Sequence, residues 1–407
     1  MVAGCENGVP NGVVHHLPDS QSPTLALVHP TPEEQHLQTL KNSDPWRGAL
    51  SLDAYLLREK VLADQEFTRN GGITFWGLVD AAAKDRVMLC GCETFRKKAL
   101  VACNGKVQEV LCHGVGSVFC PPEYRRRGYA HRMMREVGEK LKTWQGGALF
   151  SVLFSDIGKE FYNLNGWEPF NSSHITVPAS SEPTVANFPE ARPLHAEDLA
   201  ELCRTDEQLL RRSMQHASPS NSSKIFIAVI PEIATIRWHH AREDFIARQL
   251  HGRVPNIKGA IVDGDGPGKR VWCYWTRMWY NEDPAASNGN TLHVLRLVVE
   301  EYGALDWERP STTDESEHMK CKYAPAIAAL LRLAQKEAAE WKMEGAEVWN
   351  PTVATVEAAR MLKPEATVVD RESESIASLR WYGERSQEGG RVADHVDWIA
   401  NEKYGWC

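Results

Sequence analysis

Among the residues whose types and spacing could do chemistry, the run Arg125-Arg126-Arg127-Gly128-Tyr129-Ala130 comes first. It lies between a Pro121-Pro122 break and a long helical pattern. A nucleotide diphosphate needs several backbone N–H donors converging on its oxygens. A glycine-bearing turn entering a helix N-terminus supplies them, together with the positive end of the helix dipole. Gly128 would let the backbone approach such a ligand, Ala130 would keep the helix start unobstructed, and the arginines would add complementary charge. The plain alternative is a solvated loop at a helix start. Elsewhere the signals are weaker. Gly264-Asp-Gly-Pro-Gly-Lys lacks the final Ser or Thr of a phosphate loop and sits between two strand-like runs, so a hairpin turn is expected. His239, His240, Glu243 and Asp244 have i, i+4 spacing without the H-E-x-x-H order, which predicts a polar helix face and no metal. Nothing in the spacing makes Cys120 a nucleophile, and it reads as a buried thiol.

These residues must be positioned by regular elements. Strand patterns over 25–28, 76–78, 87–95 and 107–119, with helical spacing over 32–40 and 50–69, predict an antiparallel sheet with connecting helices. A long helix to about 144, a buried strand over 148–154, a helix over 158–165 and a last strand from Trp167 follow. Residues 178–223 change character, with Pro-, Ser- and Glu-rich ends flanking a helix over 196–215. From about Ile225 come a helix over 236–250 and strands over 259–262, 271–279 and 292–299. A long helix over 324–343, a strand over 346–349 and a short helix over 356–362 complete this part. The second half thus repeats the order of the first without its basic loop. The organisation expected is a mobile tail (1–24), a first domain (25–178), a linker containing a helix (179–224) and a second domain (225–407), in the α/β class with mixed α+β sheets.

Composition bounds the function. With 43% hydrophobic residues, 25% charged residues and 14 Trp among 407 residues, the chain folds, and two domains suit its length. A net charge of −8 argues against a general nucleic-acid binder and mildly favours cationic partners. No run approaches the roughly 18 uninterrupted apolar residues of a membrane span. The N-terminus also lacks the pattern of a signal peptide. Ten Cys without framework spacing, Cys90 and Cys92 included, read as reduced thiols, and a cytoplasmic location is expected.

After the basic loop, in order, comes Phe161-Tyr162-Asn163-Leu164-Asn165-Gly166-Trp167. With both motifs present the chain resembles the GNAT superfamily. There the acetyl-CoA pyrophosphate loop has the form Q/R-x-x-G-x-G/A, and the next helix commonly ends in F-Y-x-x-x-G-F/W. The strings Cys92-Glu-Thr, Gly116-Ser-Val-Phe, Pro121-Pro-Glu-Tyr-Arg, Phe154-Ser-Asp-Ile-Gly, Ser172-Ser-His and Lys403-Tyr-Gly-Trp-Cys are similar to the fungal acetyl-CoA:L-lysine N6-acetyltransferases. The resemblance implies a GNAT fold with a second, degenerate GNAT-like C-terminal domain, acetyl-CoA as co-substrate, and direct attack in a ternary complex. It further implies that the backbone of Val118 and Phe119 holds the acetyl carbonyl and pantetheine. Arg125, Arg126, Arg127, Gly128, Tyr129, Ala130 and His131 would hold the pyrophosphate, and Tyr162 would act as general acid at the thioester sulfur. A phenol suits that role because its pKa near 10 keeps it protonated at neutral pH. An aromatic core residue is the other reading of Tyr162.

An alkyl ammonium has a pKa near 10.4, so freeing the amine at pH 7 costs about 4–5 kcal/mol. Glu93, Glu123, Asp156 and His174 are candidates to take that proton or hold the ammonium, and no spacing rule selects among them. Asp156, after a strand end beside the expected cleft, leads as base or anchor. Glu93 and His174 are expected to bind substrate, and Glu123 reads as a loop residue. Resemblance to tandem acetyltransferases of the Eis type implies that the second domain shapes the amine pocket. It also implies that the C-terminal carboxylate, here on Cys407, reaches the site as proton acceptor. The acceptor expected is a small-molecule amine, free L-lysine or a related amino acid or polyamine. An aminoglycoside, a protein lysine, or a non-catalytic acyl-CoA sensor are the rival readings.

Overall fold

The computed structural model describes residues 17–84, 86–182, 187–218, 224–301, 308, 312–383 and 390–406. Residues 1–16 of the expected tail and Cys407 lie outside the described residues. The described end of that tail is not loose. The Tyr129 hydroxyl donates to the Pro18 carbonyl at 2.5 Å and Arg132 donates to that of Ser20, which ties residues 18–20 to the long helix beyond.

The first half begins with β1 (Leu25–Val28), α1 (Pro32–Lys41), α2 (Ser43–Trp46) and α3 (Leu52–Ala63). Thr31 and Glu34 form a capping box on α1, with Pro32 in its first turn, and Ser51 caps α3. The helix expected over 50–69 therefore stops at Ala63, and turns follow. An antiparallel meander comes next: β2 (Ile73–Asp80), β3 (Met88–Cys103) and β4 (Lys106–Phe119). α4 (Tyr129–Leu141) then carries the chain to β5 (Phe150–Ser155), which lies parallel to β4, and α5 (Glu160–Asn163) leads to β6 (Glu168–Pro169).

The remaining elements are β7 (Ser173–Pro178), β8 (Arg192–Leu194), α6 (Leu199–Ala217), β9 (Ile225–Val229) and α7 (Ile233–His251). Then come β10 (Gly259–Val262), β11 (Val271–Met278), β12 (Thr291–Val299), α8 (Thr313–Glu340), β13 (Gly345–Trp349) and α9 (Val353–Leu362). β14 (Val369–Asp370), β15 (Ile376–Trp381), α10 (Val392–His395) and β16 (Val396–Trp398) finish the chain.

The strands make two sheets that do not follow chain order. One runs β1-β2-β3-β4-β5-β15-β6, with β9 on the far half of β3 and β16 on β9. The other runs β14-β7-β13-β12-β11-β10-β8. Each contains an antiparallel set, a long helix, and a strand parallel to the last of the set: β4-α4-β5 and β12-α8-β13. Beside that parallel strand each sheet accepts an antiparallel strand from the other half of the chain. β15 pairs β5 with Ile376 opposite Ser155, and β7 pairs β13 with Val177 opposite Ala346. The single strand expected from Trp167 is thus two, and the chain changes sheets at residues 170–172.

The exchange explains the core. α4 presents Met133, Met134, Val137 and Leu141 to Cys92, Val115 and Leu153 on one face of the first sheet. The opposite face, with Ala99, Phe150 and Val152, packs on Trp272, Tyr274 and Leu295 of the second sheet and on Tyr404. α8 covers the outer face of the second sheet with an alanine-rich side that includes Ala324, Ala328, Ala334 and Ala338. Burying this apolar area is worth roughly 25 cal/mol per Å², and the core it forms draws on both halves of the chain. Paired buried charges fix the register. Arg296 makes two 2.8 Å bonds to Asp206 and also pairs with Glu402. The turn at 263–270 joins antiparallel β10 and β11, as a hairpin.

Candidate active site

Two irregularities in β4 make the site. Gly91 of β3 pairs with Phe119, but Glu93 pairs with Gly116, so β4 carries one extra residue at 117–118, and Ser117 has φ 51°. Such a bulge turns backbone groups out of the ladder. The pairing of β4 with β5 also ends at Val115 opposite Leu153, although β4 continues to Phe119 and β5 to Ser155. The strands part there, which leaves the amides and carbonyls of residues 116–119 without a neighbouring strand on the β5 side.

The basic loop continues from that opening. Arg125 donates to the Cys120 carbonyl at 2.8 Å and lies over the Phe119 ring. Arg126 and Gly128 are both left-handed, at φ 61° and 83°. Gly128 is the N-cap of α4, and no side chain caps the first-turn amides. Left-handed residues next to free helix amides form a concave anion receptor, and the first turn contains no acidic residue to compete. His131 ties the two motifs together: Asn165 bonds its Nδ1 at 2.9 Å and its ring meets Phe161 at 4.5 Å. The residues present therefore fit a diphosphate.

Glu93, Phe95 and Lys97 point from β3 to the face opposite α4. Glu93 lies across from Gly116, and the Ser117 hydroxyl donates to its carboxylate at 2.8 Å. Burial, with the nearby charge of Glu59, pushes the Glu93 carboxyl up to about 7, against the Ser117 bond and Arg58. α3 contributes Tyr55, Arg58 and Glu59 to the surroundings, and Arg58 pairs with Glu59. This raised carboxyl stands directly beside the bulge.

The other expected residues take distinct places. Tyr162 is buried with Cys92 and Trp167, and burial raises its phenol well above 10, so it stays protonated at neutral pH. Asp156 is exposed at the tip of β5, accepts the Ser375 amide at 3.0 Å, and contributes its charge to the surroundings of Tyr162 and Lys403. His174 stands on β7 in the second sheet, 3.6 Å from Glu347, which also meets His293 at 3.3 Å. Glu123 is held by Lys41 at 2.8 Å in the outer loop. Cys120 packs with its thiol directed to the Leu89 carbonyl, and burial raises its pKa.

The chain end turns at Lys403–Gly405 instead of continuing as a strand, and Trp406 stacks on His239 at 6.1 Å. Lys403 is fully buried, with its ammonium over the rings of Trp349 and Trp406, and desolvation lowers it to about 7. Neither it nor Arg58, Glu59 or Arg242 was picked out in the sequence. The α7 residues once considered for a metal have structural partners: His240 meets the Trp275 carbonyl, and Glu243 binds Lys258 and Arg277. Two large cavities lie away from the bulge, one of about 580 Å³ beside β13 and α9 and one of about 770 Å³ on the outer side of α4.

Sequence comparison agrees with this geometry. The LYC1 GNAT-like C-terminal domain matches residues 174–407, and an acetyltransferase (GNAT) domain matches residues 100–170. The chain belongs to the LYC1-like GNAT family. The gap between the matches falls where the chain changes sheets. The family's fold is present twice, as a complete GNAT unit and a degenerate GNAT-like one, and its activity class is acetyl transfer. An uncharacterised protein of Saccharomyces cerevisiae, YGR111W, is 21% identical over 411 residues, covering 92% of this chain and 96% of that protein. A lysine acetyltransferase of Yarrowia lipolytica is 23% identical over 296 residues, covering 62% and 70%. Among solved structures, a GCN5-related N-acetyltransferase from Anabaena variabilis aligns over 88% of this chain and 72% of its own, at 15% identity and a TM-score of 0.48. No described helix of this GNAT protein is long and apolar enough to cross a membrane.

Proposed function

We propose that this GNAT acetyltransferase uses acetyl-CoA to acetylate the side-chain amine of free L-lysine or a similar small amine. The observation that carries the reading is Glu93: a carboxyl half-protonated near pH 7, beside the bulge and facing away from the cofactor helix. The lysine assignment draws support from the Yarrowia relative's name.

Acetyl-CoA supplies the acetyl group as an activated thioester. The backbone at Val118 and Phe119 and the loop from Arg125 to His131 hold and orient it. Glu93 accepts a proton from the acceptor ammonium, and Tyr162 gives one to the departing sulfur. Asp156, at the mouth, draws the cationic acceptor in. A base near 7 leaves roughly 3 pKa units, about 4–5 kcal/mol, to be met by desolvation of the ammonium inside the protein. The second sheet and the chain end shape the acceptor side. The test is thiol release from acetyl-CoA with lysine, ornithine, polyamines, an aminoglycoside and a lysine peptide, with products identified by mass. N6-acetyl-lysine is expected. Product only on the peptide or aminoglycoside reassigns the acceptor, and acetyl-CoA binding without thiol release on any amine favours a sensor.

A further inference from the structure

α7 crosses the acceptor face of β3 antiparallel to it, and its residues can be placed against the strand by distance. At its start the Ile230 amide bonds the Lys98 carbonyl and Glu232 pairs with Lys98 at 2.7 Å. Further along, Trp238 meets Phe95 with ring centroids 5.9 Å apart. Arg242 is four residues on, about 6 Å along a helix. Glu93 is two residues beyond Phe95, about 6.7 Å along a strand. Arg242 therefore stands at the level of Glu93 and the bulge, on the face away from α4 and the diphosphate loop.

Arg242 has no ion pair among the described residues, and its Nη1 is shut off from solvent without a hydrogen-bond partner there. Its neighbour Arg58 is already matched by Glu59 and by the Trp46 carbonyl. Desolvation and the Arg58 charge pull the Arg242 guanidinium down to about 10. A half-buried guanidinium with one nitrogen closed off and unpaired is costly, and its planar fork matches a carboxylate.

We propose that Arg242 binds the carboxylate of the acceptor, so that the site takes an amino acid carrying a second amine and discriminates against the corresponding diamine. This rests on the reading of the Glu93 face as the acceptor site. The acceptor's carboxylate at Arg242 directs its far amine toward Glu93 and the bulge, which makes Arg242 the residue that sets specificity.

The experiment compares free lysine with 1,5-diaminopentane, the same chain without the carboxylate, for the full-length protein and its Arg242→Gln and Arg242→Lys variants. The wild type is expected to favour lysine by about 50-fold or more in kcat/KM. Arg242→Gln is expected to collapse that ratio toward one, mainly through the KM for lysine, and Arg242→Lys to fall between. Calorimetric titration of lysine onto the CoA-bound protein should show the same weakening, and unchanged or raised thermal stability should show that the variants fold. Equal losses on both acceptors, or a wild type indifferent to the carboxylate, would overturn the proposal and leave acetyl transfer to amines standing. Acetyl-CoA bound with no product from any amine would overturn both.

Discussion

Glu93 combines two properties that pull in opposite directions. Its burial raises its pKa toward neutrality, which suits the base the proposed reaction needs, and the same burial costs stability once it ionises. Glu93→Gln keeps the Ser117 contact, and is expected to lower kcat by about 10²–10⁴-fold. Because the folded-state pKa is raised from 4.5 to about 7, the penalty is absent below the lower value and complete above the upper one. Urea unfolding should therefore find Glu93→Gln about 1–3 kcal/mol more stable than wild type at pH 8.5 and no more stable at pH 4. Tyr162→Phe retains the buried ring and removes the proton donor. It should lower kcat by about 10–10³-fold while acetyl-CoA affinity, measured by calorimetry, is kept. Extending the chain beyond Cys407 carries the terminal carboxylate away and so separates it from Glu93 as proton acceptor: kcat is expected to stay within a few-fold. A loss as deep as that of Glu93→Gln would move the role to the chain end.

At the scale of elements, the cofactor side is built from consecutive pieces, β4, the basic loop, α4 and α5. That is why it was legible: Arg125 to Ala130 and Phe161 to Trp167 announce a turn, a helix start and a packed helix end within one stretch of chain. The bulge itself was not, because Gly116-Ser117-Val118-Phe119 continues a strand pattern and only pairing with Glu93 and Gly91 reveals the extra residue. The acceptor side is assembled from α3, β3 and α7, far apart in sequence, and Arg242 lies in a helix whose polar residues look alike until their partners are known. Gly128 offers a test of the loop. At φ 83° a side chain is strained, and a Cβ there would meet Ser20 Oγ at 2.6 Å. Gly128→Ala should raise the acetyl-CoA KM by about tenfold and cost about 1–2 kcal/mol of stability in denaturant unfolding.

For the whole molecule, the consequence is mutual dependence of the halves. The alternation in Ser173-His-Ile-Thr-Val-Pro marks a strand, yet nothing in it says that the strand belongs beside β13 and not β5. The strand over 376–381, with Ser378 and Arg380 among its residues, was not predicted, and nothing local shows that it fills the place between β5 and β6. Helix and strand periods are local, whereas pairing partners are set by burial across the entire fold. A fragment ending at residue 182 keeps β4, α4 and β5 but lacks β15, and its β7 has no sheet to join. It is expected to be unfolded or aggregated by circular dichroism and sedimentation, and soluble only when expressed together with the remainder. A folded, acetyl-CoA-binding fragment would contradict this account of the exchange.

The central claim is that this fold acetylates a small amine with Glu93 as proton acceptor. The most direct measurement is kcat/KM for free lysine from pH 5.5 to 8.5, for wild type and Glu93→Gln, with the product identified by mass. The account expects N6-acetyl-lysine, with a wild-type rate rising through an apparent pKa near 7 and that rise lost in the variant. The same rise surviving in Glu93→Gln at a comparable rate would contradict it.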